Sequence, residues 1–487
     1  MLRKLAQQTA IYGISTILVR FLSYLLTPYY TRVFGQETYG IVTDVYALIP
    51  LALTLLTMGL ESGYFRFATK AEEAGGDVKR SKQRLFATTW GVTTWAAVLF
   101  VAAVAVWRTP LAAAMGEAYV AHPIYLTLVS LIILLDVATA IPFARLREER
   151  RSMCFVGLKL LSVVVNVVLA FAFGMAGLFA TDFGVGWVFV ANLAASLITW
   201  FALLPQLSGK SLRIDRALLS RILIYSLPLL IGGLAGTANE FIDRQLIKYL
   251  VPEGAMADLG LYGALTKLGV VMMLFYQMYR LAAEPYFLSG FKKEEFKLQN
   301  AAALKYYVMA SMLIFLGIAL FRDLFALILG REFREGVYLL PVVLGGNILA
   351  GVWLNLSFWY KREERTSMAL LITGTGLVVT VTANCLLLPH YGYAAAAWVR
   401  LFSEGAMVAV SIYLNRRFYP TPYAWGRMVE FAGVALMLFF AAERITAYVG
   451  TVGGYVAGTV ALVLYVGYLV WREKIDVKAM ALSIIKR

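Results

Sequence analysis

The chain has 487 residues, of which 61% are hydrophobic and only 15% are charged, and its formal net charge is +15. Soluble domains are about 45–50% apolar and about 25% charged, so this composition excludes an ordinary soluble protein of two or three domains. Apolar stretches of about 18 or more residues recur along the whole sequence, and each could cross a hydrocarbon core of about 30 Å as a helix.

These segments predict about fourteen transmembrane α-helices, because lipid offers an exposed backbone no hydrogen-bond partners. In chain order they span 7–32, 40–66, 86–107, 123–144, 153–174, 184–206, 222–249, 262–287, 302–328, 337–360, 368–389, 393–414, 428–447 and 451–471. The first segment carries Arg20 in its middle and has no small-residue cleavage site. We therefore interpret it as the first span and not as a signal peptide.

Basic residues are concentrated on one side of the predicted membrane. About 29 of the 44 Lys and Arg fall in the two termini and in every second loop, whereas the remaining loops hold about five. The positive-inside rule then predicts that both termini are cytoplasmic. The positive charge is explained by this topology, so a nucleic-acid partner is not expected.

Short sequences recur at a similar offset. REERRSM at 147–153 lies between segments 4 and 5, and REERTSM at 362–368 lies between segments 10 and 11. YGIVTD at 39–44 opens segment 2, as YGALTK at 262–267 opens segment 8, and Asn166 and Asn384 form a weaker echo. The alternative is that basic loops resemble each other by chance, but three echoes at nearly one offset favour a duplication.

The duplication predicts two six-helix lobes in parallel orientation, which is a transporter architecture with its site between the lobes near the midplane. The predicted parts are an N-lobe at 1–206, a cytoplasmic linker at 207–221, a C-lobe at 222–414, two extra helices at 428–471 and a cytoplasmic tail at 472–487.

Three motifs resemble those of a known superfamily. TRVFGQETYG at 31–40, LPLLIGGLAGTANEFIDRQLIKYL at 227–250 and NCLLLPHYGYAAAAW at 384–398 are similar to sequences of the MOP superfamily, and the chain most resembles its polysaccharide or oligosaccharide (Wzx-type) flippases. The resemblance implies an all-α integral membrane fold with a central cavity. It also implies that a polyprenyl-diphosphate-linked oligosaccharide (an O-antigen, capsule or exopolysaccharide repeat unit) moves from the inner to the outer leaflet of a bacterial inner membrane.

Charged residues inside predicted spans are the candidate functional residues, since each costs about 2.5–3.5 kcal/mol on insertion scales. The cations are Arg20, Lys159, Arg244, Lys267, Arg280 and Arg400, and the acids are Asp44, Asp136, Glu240, Asp243, Glu284 and Glu404.

Spacing divides these residues into two groups. The pairs Glu240 and Arg244, Arg280 and Glu284, and Arg400 and Glu404 are each four residues apart, so they can form structural ion pairs on one helix face. Arg20, Lys159 and Lys267 have no acid within one helical turn. Their partners are an acid on another helix, a water-filled cavity or a substrate, and Lys159 could also snorkel to the cytoplasmic end.

All six cations are predicted to bind the diphosphate, because Arg holds phosphate oxygens bidentately and Lys supplies a point charge. Asp44, Asp136, Glu240 and Asp243 are predicted to act as a gate or to couple transport to Na⁺ or H⁺. Asp44 and Lys267 occupy equivalent places in the two YGxxT copies and are predicted to pair between lobes. The alternatives are a permanent bridge within one lobe and contacts of each residue with unrelated partners. No cofactor is expected, and outward movement of two negative charges would gain about 4–5 kcal/mol per 100 mV of membrane potential.

Other functions have weaker sequence support. Cys154 and Cys385 indicate no disulfide framework, His122 and His390 lack metal-ligand spacing, and no nucleotide-binding motif occurs. A membrane polymerase or ligase would need a large outer loop, and a drug or organic-cation antiporter of the MOP type would need unpaired cavity acids. A lipid II flippase is a closer alternative. Polysaccharide polymerase or assembly proteins are candidate partners beside membrane lipid.

Overall fold

The computed structural model describes residues 17–19, 21–207, 213–288, 293–363, 365 and 367–474 of the chain. Helices account for 89% of this structure, and these residues form no strand. The prediction of an all-α protein is therefore confirmed. Arg20, much of the first predicted span and most of the predicted C-terminal tail lie outside the described residues.

The helices follow the hydropathy pattern closely. In the first half of the chain they are α1 (Leu26–Val33), α2 (Gln36–Thr57), α3 (Leu60–Glu73), α4 (Val78–Val106), α5 (Arg108–Met115), α6 (Glu117–Ala121), α7 (Ile124–Glu148), α8 (Ser152–Met175), α9 (Gly186–Leu207) and α10 (Arg216–Leu250). In the second half they are α11 (Ala255–Leu268), α12 (Val270–Leu288), α13 (Lys293–Ala319), α14 (Arg322–Ala326), α15 (Leu340–Leu356), α16 (Phe358–Arg362), α17 (Ser367–Phe418) and α18 (Trp425–Glu473). Short 3₁₀ helices cover Leu178–Ala180 and Arg331–Leu339.

Two very long helices contain internal breaks. The backbone leaves helical geometry at Gly392 in α17, where φ is 54° and ψ is −145°, and at Gly450 in α18, where φ is 74°. Only glycine adopts such a conformation without strain. At the first break the carboxylate of Asp258 accepts a hydrogen bond of 2.8 Å from the backbone N–H of Tyr393. The sequence predicts separate spans on either side of both breaks, and the glycines divide the helices at these points.

Ten helices within the described ranges are long and apolar enough to cross a membrane, or eleven if α11 and α12 together count as one bent span. The chain is thus a multi-pass membrane protein. The predicted segments 123–144 and 153–174 correspond to Ile124–Glu148 and Ser152–Met175. The total of fourteen transmembrane helices and the symmetry of the two lobes remain predictions.

The chain divides into two compact units. Unit 1 comprises Met1–Gly263 and Thr380–Ala396. In it α2 packs against α10 and against the start of α11, with almost no space between the backbones. A Cβ atom on Gly40 would lie 2.0 Å from the carbonyl oxygen of Met256, and one on Gly260 would lie 2.1 Å from that of Gln36. Unit 1 therefore joins helices from both predicted lobes, 1–206 and 222–414, whose boundaries stay a prediction.

Unit 2 comprises Ala264–Val379 and Ala397–Arg487. Its core is aromatic, with Phe287, Phe358 and Trp359 among the buried side chains. α18, which contains the two predicted extra helices, packs against α13. A salt bridge from Lys305 to Glu473 joins α13 to α18, and one from Arg322 to Glu443 joins α14 to α18. The extra helices are thus an integral part of unit 2.

Candidate functional site

The most buried ionic site lies in unit 1 around Asp44 on α2. The Asp44 side chain is fully buried and forms a salt bridge with Lys248 near the end of α10. Gln245, one turn earlier on α10, donates a hydrogen bond of 2.6 Å to the other carboxylate oxygen. Tyr119 on α6 donates another of 2.6 Å. We call these four residues the Asp44 cluster.

Local structure explains this arrangement. Gln245 and Lys248 are three residues apart on α10, so both face the same neighbour. The Tyr119 ring lies under the Lys248 ammonium at 4.6 Å. Burial raises the pKa of Tyr119, so its phenol stays protonated and continues to donate to Asp44. A buried charge pair is tolerable only when such additional bonds satisfy it.

Asp243 and Arg244 form a second ionic site on α10. Asp243 is buried and accepts hydrogen bonds from the Tyr262 hydroxyl and from the backbone N–H of Arg244. The Arg244 guanidinium lies 3.3 Å from the Asp243 carboxylate and donates to the backbone carbonyl of Glu240 at 2.9 Å. The predicted pairing of Arg244 with the Glu240 carboxylate is wrong. Glu240 is exposed, whereas the buried Asp243 has the greater need of a counter-charge.

Lys159 and Asp136 belong to a third polar site in unit 1. The Lys159 ammonium on α8 lies 4.1 Å from the ring centroid of Phe143 and interacts electrostatically with Asp136 on α7. Asp136 accepts a hydrogen bond of 3.0 Å from Ser196 on α9. Lys159 therefore packs over an aromatic ring of α7 and is attracted to a carboxylate of the same helix without forming a salt bridge to it.

The predicted cations Lys267, Arg280 and Arg400 lie in unit 2. Arg280 pairs with Glu284 at 3.4 Å, as its spacing predicts, and Lys361 also binds Glu284 at 2.6 Å. Lys267 on α11 and Arg400 on α17 are half-buried. Glu404 accepts a hydrogen bond of 2.8 Å from the Trp353 indole. The pair of Arg400 with Glu404 and the binding of diphosphate by these cations stay predictions.

Sequence reasoning missed three of the four residues of the Asp44 cluster. Asp44 is bound by Lys248, Gln245 and Tyr119 of its own unit, in line with the alternative of unrelated partners for this acid. The three-residue spacing of Gln245 and Lys248 near the end of a span was a detectable signal. No sequence pattern points to Tyr119, which lies on a short helix outside the spans. The gate between Asp44 and Lys267 remains a prediction.

The charged residues do not form a metal site within the described part of the chain. No group of three or more His, Cys, Asp or Glu side chains there could hold a metal ion. What the Asp44 cluster can do is hold α2 and α10 together through an ion pair that proton uptake or an anionic ligand would weaken.

Comparisons with known proteins agree on the fold. The sequence profile described as "Polysaccharide biosynthesis protein" matches residues 5–291. No curated protein matches the chain in sequence. Among solved structures, the lipid II flippase MurJ in its inward closed conformation is similar with a TM-score of 0.76 at 11% identity, covering 96% of this chain and 100% of that one.

Two transporters of another family are also similar. An inward-facing multidrug resistance MATE transporter of the MOP superfamily has a TM-score of 0.68 at 15% identity, covering 83% of this chain and 94% of that one. The MATE multidrug transporter DinF-BH has a TM-score of 0.62 at 15% identity, covering 85% and 95%. At these identities the likeness shows the fold alone. The chain belongs to the polysaccharide biosynthesis protein family and has the fold of the MOP superfamily of membrane transporters.

Proposed function

We propose that the chain is a flippase, and not an enzyme, that moves a polyprenyl-diphosphate-linked oligosaccharide from the inner to the outer leaflet of a bacterial inner membrane. The observation that carries this proposal is the family match over residues 5–291, because it connects the chain to polysaccharide biosynthesis. The similarity to a lipid II flippase over 96% of the chain supports a lipid-linked substrate.

The charged groups support a mechanism of alternating access. The diphosphate cannot cross hydrocarbon without replacement of its hydration shell. Arg and Lys side chains in a wet cavity would supply charge-assisted hydrogen bonds while the polyprenyl tail stays in lipid. Arg20, Lys159, Arg244, Lys267, Arg280 and Arg400 are the candidate ligands.

The Asp44 cluster supports a role in closing the transporter. It connects α2 of the predicted N-lobe to α10 of the predicted C-lobe. The distribution of the basic loops predicts that this end of both spans lies on the outer side of the membrane. Outward opening would separate these helices and break the buried pair. Because charges released into water are re-solvated, the pair can close and open reversibly.

Coupling has two candidate sources. Asp136 and Asp243 are carboxylates within spans, next to Lys159 and Arg244, and could exchange H⁺ or Na⁺. The membrane potential alone would favour outward movement of two negative charges by about 4–5 kcal/mol per 100 mV. Both termini are proposed to be cytoplasmic, and polysaccharide polymerase or assembly proteins are the proposed partners.

Transport in proteoliposomes tests the proposal. Purified protein is reconstituted with a polyprenyl-diphosphate oligosaccharide, and a membrane-impermeant glycosidase measures how much of the glycan reaches the other leaflet. The intact chain should increase the rate over protein-free vesicles. Lys267→Gln and Arg400→Gln should each reduce it about tenfold or more, the expected effect of one lost charge-assisted bond. Lys79→Gln, a change on the exposed surface, is the control. A rate equal to that of empty vesicles would refute the proposal.

The MurJ and MATE similarities favour two other cargoes, lipid II and a drug or organic cation. The same vesicles distinguish them when they are loaded with lipid II or with a cationic fluorescent dye. Selective transport of the oligosaccharide supports the proposed substrate, whereas movement of only lipid II or only the dye replaces it.

A further inference from the structure

A basic pocket with no assigned role lies in unit 1. It is a cavity of about 770 Å³ between the end of α3, the start of α4 and the start of α10. Its charged lining residues are Arg66, Lys70, Arg84, Arg221 and Asp215. None of them belongs to the intramembrane charges discussed above. We call this cavity the basic pocket.

The single carboxylate of the pocket is already engaged. Asp215 forms a salt bridge with Arg84 and accepts 3.1 Å hydrogen bonds from the backbone N–H groups of Ala217 and Leu218. The hydrogen bond from Leu218 contributes most to lowering the pKa of Asp215, and the other bonds add to it, so the carboxylate stays ionised. Its negative charge is thus matched by Arg84 and by the start of α10.

Three cations of the pocket have no counter-charge among the residues that the structure describes. Lys70 lies 5.3 Å from the ring centroid of Phe67. Among the described residues, the guanidinium groups of Arg66 and Arg221 have neither an ion pair nor a hydrogen bond with a protein side chain. Two guanidinium groups and one ammonium group therefore line one cavity. Their positive charges repel each other unless an anion binds between them.

The wall of the pocket on α10 is apolar and exposed. Ile224 is 72% exposed and Tyr225 is 40% exposed, and both line the pocket. Leu227, which follows them, is 46% exposed. In a membrane-spanning helix such side chains face acyl chains. Together with the basic residues at this predicted cytoplasmic end of the span, the exposed apolar wall favours a position near the lipid head groups.

We propose that the basic pocket binds the phosphate-bearing head group of a membrane lipid, with Arg66 and Arg221 holding the phosphate oxygens. A guanidinium matches phosphate bidentately, and Lys70 adds a point charge. The acyl or polyprenyl chain lies along Ile224 and Tyr225. The two possible sources are an anionic phospholipid and a lipid-linked diphosphate. The site is a place of head-group binding outside the intramembrane charges, and it does not require that the chain transport anything.

An ordinary solvated basic surface would also satisfy the positive-inside rule. The two cases differ in their dependence on particular residues: a solvated surface attracts all anionic lipids weakly through its total charge, whereas a binding pocket depends on the residues that line it. The matched control exploits this difference. Arg216 and Arg416 are exposed cations that do not line the pocket, so their removal subtracts the same charge.

Lipid binding to the full-length protein in zwitterionic nanodiscs tests the proposal. The probes are a polyprenyl diphosphate, phosphatidylglycerol and inorganic phosphate, and native mass spectrometry measures the bound fraction. Arg66→Gln with Arg221→Gln should weaken binding of at least one lipid about a hundredfold, about tenfold for each lost bidentate contact. Arg216→Gln with Arg416→Gln should change it less than about threefold. Thermal unfolding of each variant verifies that it is folded.

The outcomes separate the sources. If the pocket variant loses binding of the diphosphate alone, the pocket belongs to a lipid-linked substrate. If it loses binding of phosphatidylglycerol alone, the pocket belongs to bulk phospholipid. If it loses binding of both, the pocket recognises the phosphate that the two head groups share. Equal effects of the pocket and control variants overturn the proposal, as does binding of inorganic phosphate as tight as that of the lipids. Binding is measured without flipping, so failure here is distinct from failure of the proposed transport.

Discussion

At the residue scale, the ion pair of Asp44 with Lys248 is the feature with the largest energetic consequence. Both side chains are almost completely buried, at 0% and 4% exposure. Two charges taken out of water are stable only together, and the hydrogen bonds from Gln245 and Tyr119 complete the solvation that water would otherwise provide. The pair is consequently a strong constraint on the relative position of α2 and α10.

Removal of one partner should reveal this constraint. Asp44→Asn leaves the Lys248 ammonium buried without a counter-charge, so the free energy of unfolding should fall by about 3–5 kcal/mol. Lys248→Met should cost a similar amount. The double variant should recover much of the loss, because a neutral pair no longer requires charge compensation. Denaturation in mixed micelles measures all four proteins. Strictly additive losses would mean that the two side chains do not act as a pair.

At the element scale, glycines determine how closely the helices of unit 1 approach. Gly40, Gly260 and Gly263 lie where α2 meets α11, and Gly59 lies against the carbonyl oxygen of Ser226 on α10. At Gly40, Gly260 and Gly59 the neighbouring atoms belong to the backbone and cannot rotate away. By contrast, a Cβ atom added at Gly232 or Gly236 on α10 would meet no atom of the described residues within 4 Å. Neither glycine is therefore needed for packing within the described part of the chain, and α10 passes through both as a continuous helix.

Two alanine substitutions should have opposite effects. Gly260→Ala places a Cβ atom 2.1 Å from the carbonyl oxygen of Gln36, so α2 and α11 must separate. We expect a loss of about 1–3 kcal/mol in the free energy of unfolding, typical of overpacking. Gly236→Ala should be neutral or stabilise the protein by about 0.5–1 kcal/mol, since alanine favours the helix. Thermal unfolding in detergent compares them, and equal shifts would contradict the close helix contact.

At the scale of the whole molecule, the proposed transport requires the two predicted lobes to move relative to each other. The contact of α2 with α10 joins helices of both lobes, and midway along it the hydroxyl oxygens of Thr54 and Thr237 lie 3.3 Å apart. Any outward-open state reached by rocking would have to separate at least part of this contact. A reversible covalent bond at this point therefore tests the movement directly.

A disulfide between Thr54→Cys and Thr237→Cys should stop transport under oxidising conditions. The two hydroxyl oxygens lie 3.3 Å apart, so the two sulfur atoms that replace them start near each other. The background carries Cys154→Ser and Cys385→Ser, and each single-cysteine protein is a control. Flipping in proteoliposomes should disappear after oxidation and return after reduction. Full activity of the cross-linked protein would show that this contact does not open during transport.

Much of the fold was accessible from the sequence. Hydropathy predicted the helices now seen at Ile124–Glu148 and Ser152–Met175, and it separated spans at the breaks of Gly392 and Gly450. The family was accessible as well, because its motifs are local sequences. The physical reason is that a bilayer forces each apolar segment to satisfy its own backbone, so local composition determines local structure.

Only the tertiary structure decided which charges meet. Asp44 pairs with Lys248, which lies 204 positions away, and no spacing of charged residues in the sequence predicts this pair. The preference of Arg244 for Asp243 over Glu240, the Asp258 contact at the Gly392 break and the basic pocket likewise depend on how separate helices pack. Sequence alone determined that this chain is a helical multi-pass membrane protein of a known family. Its ionic contacts were decided by tertiary packing, because Coulomb energy and desolvation depend on distance and burial in space and not on separation along the chain.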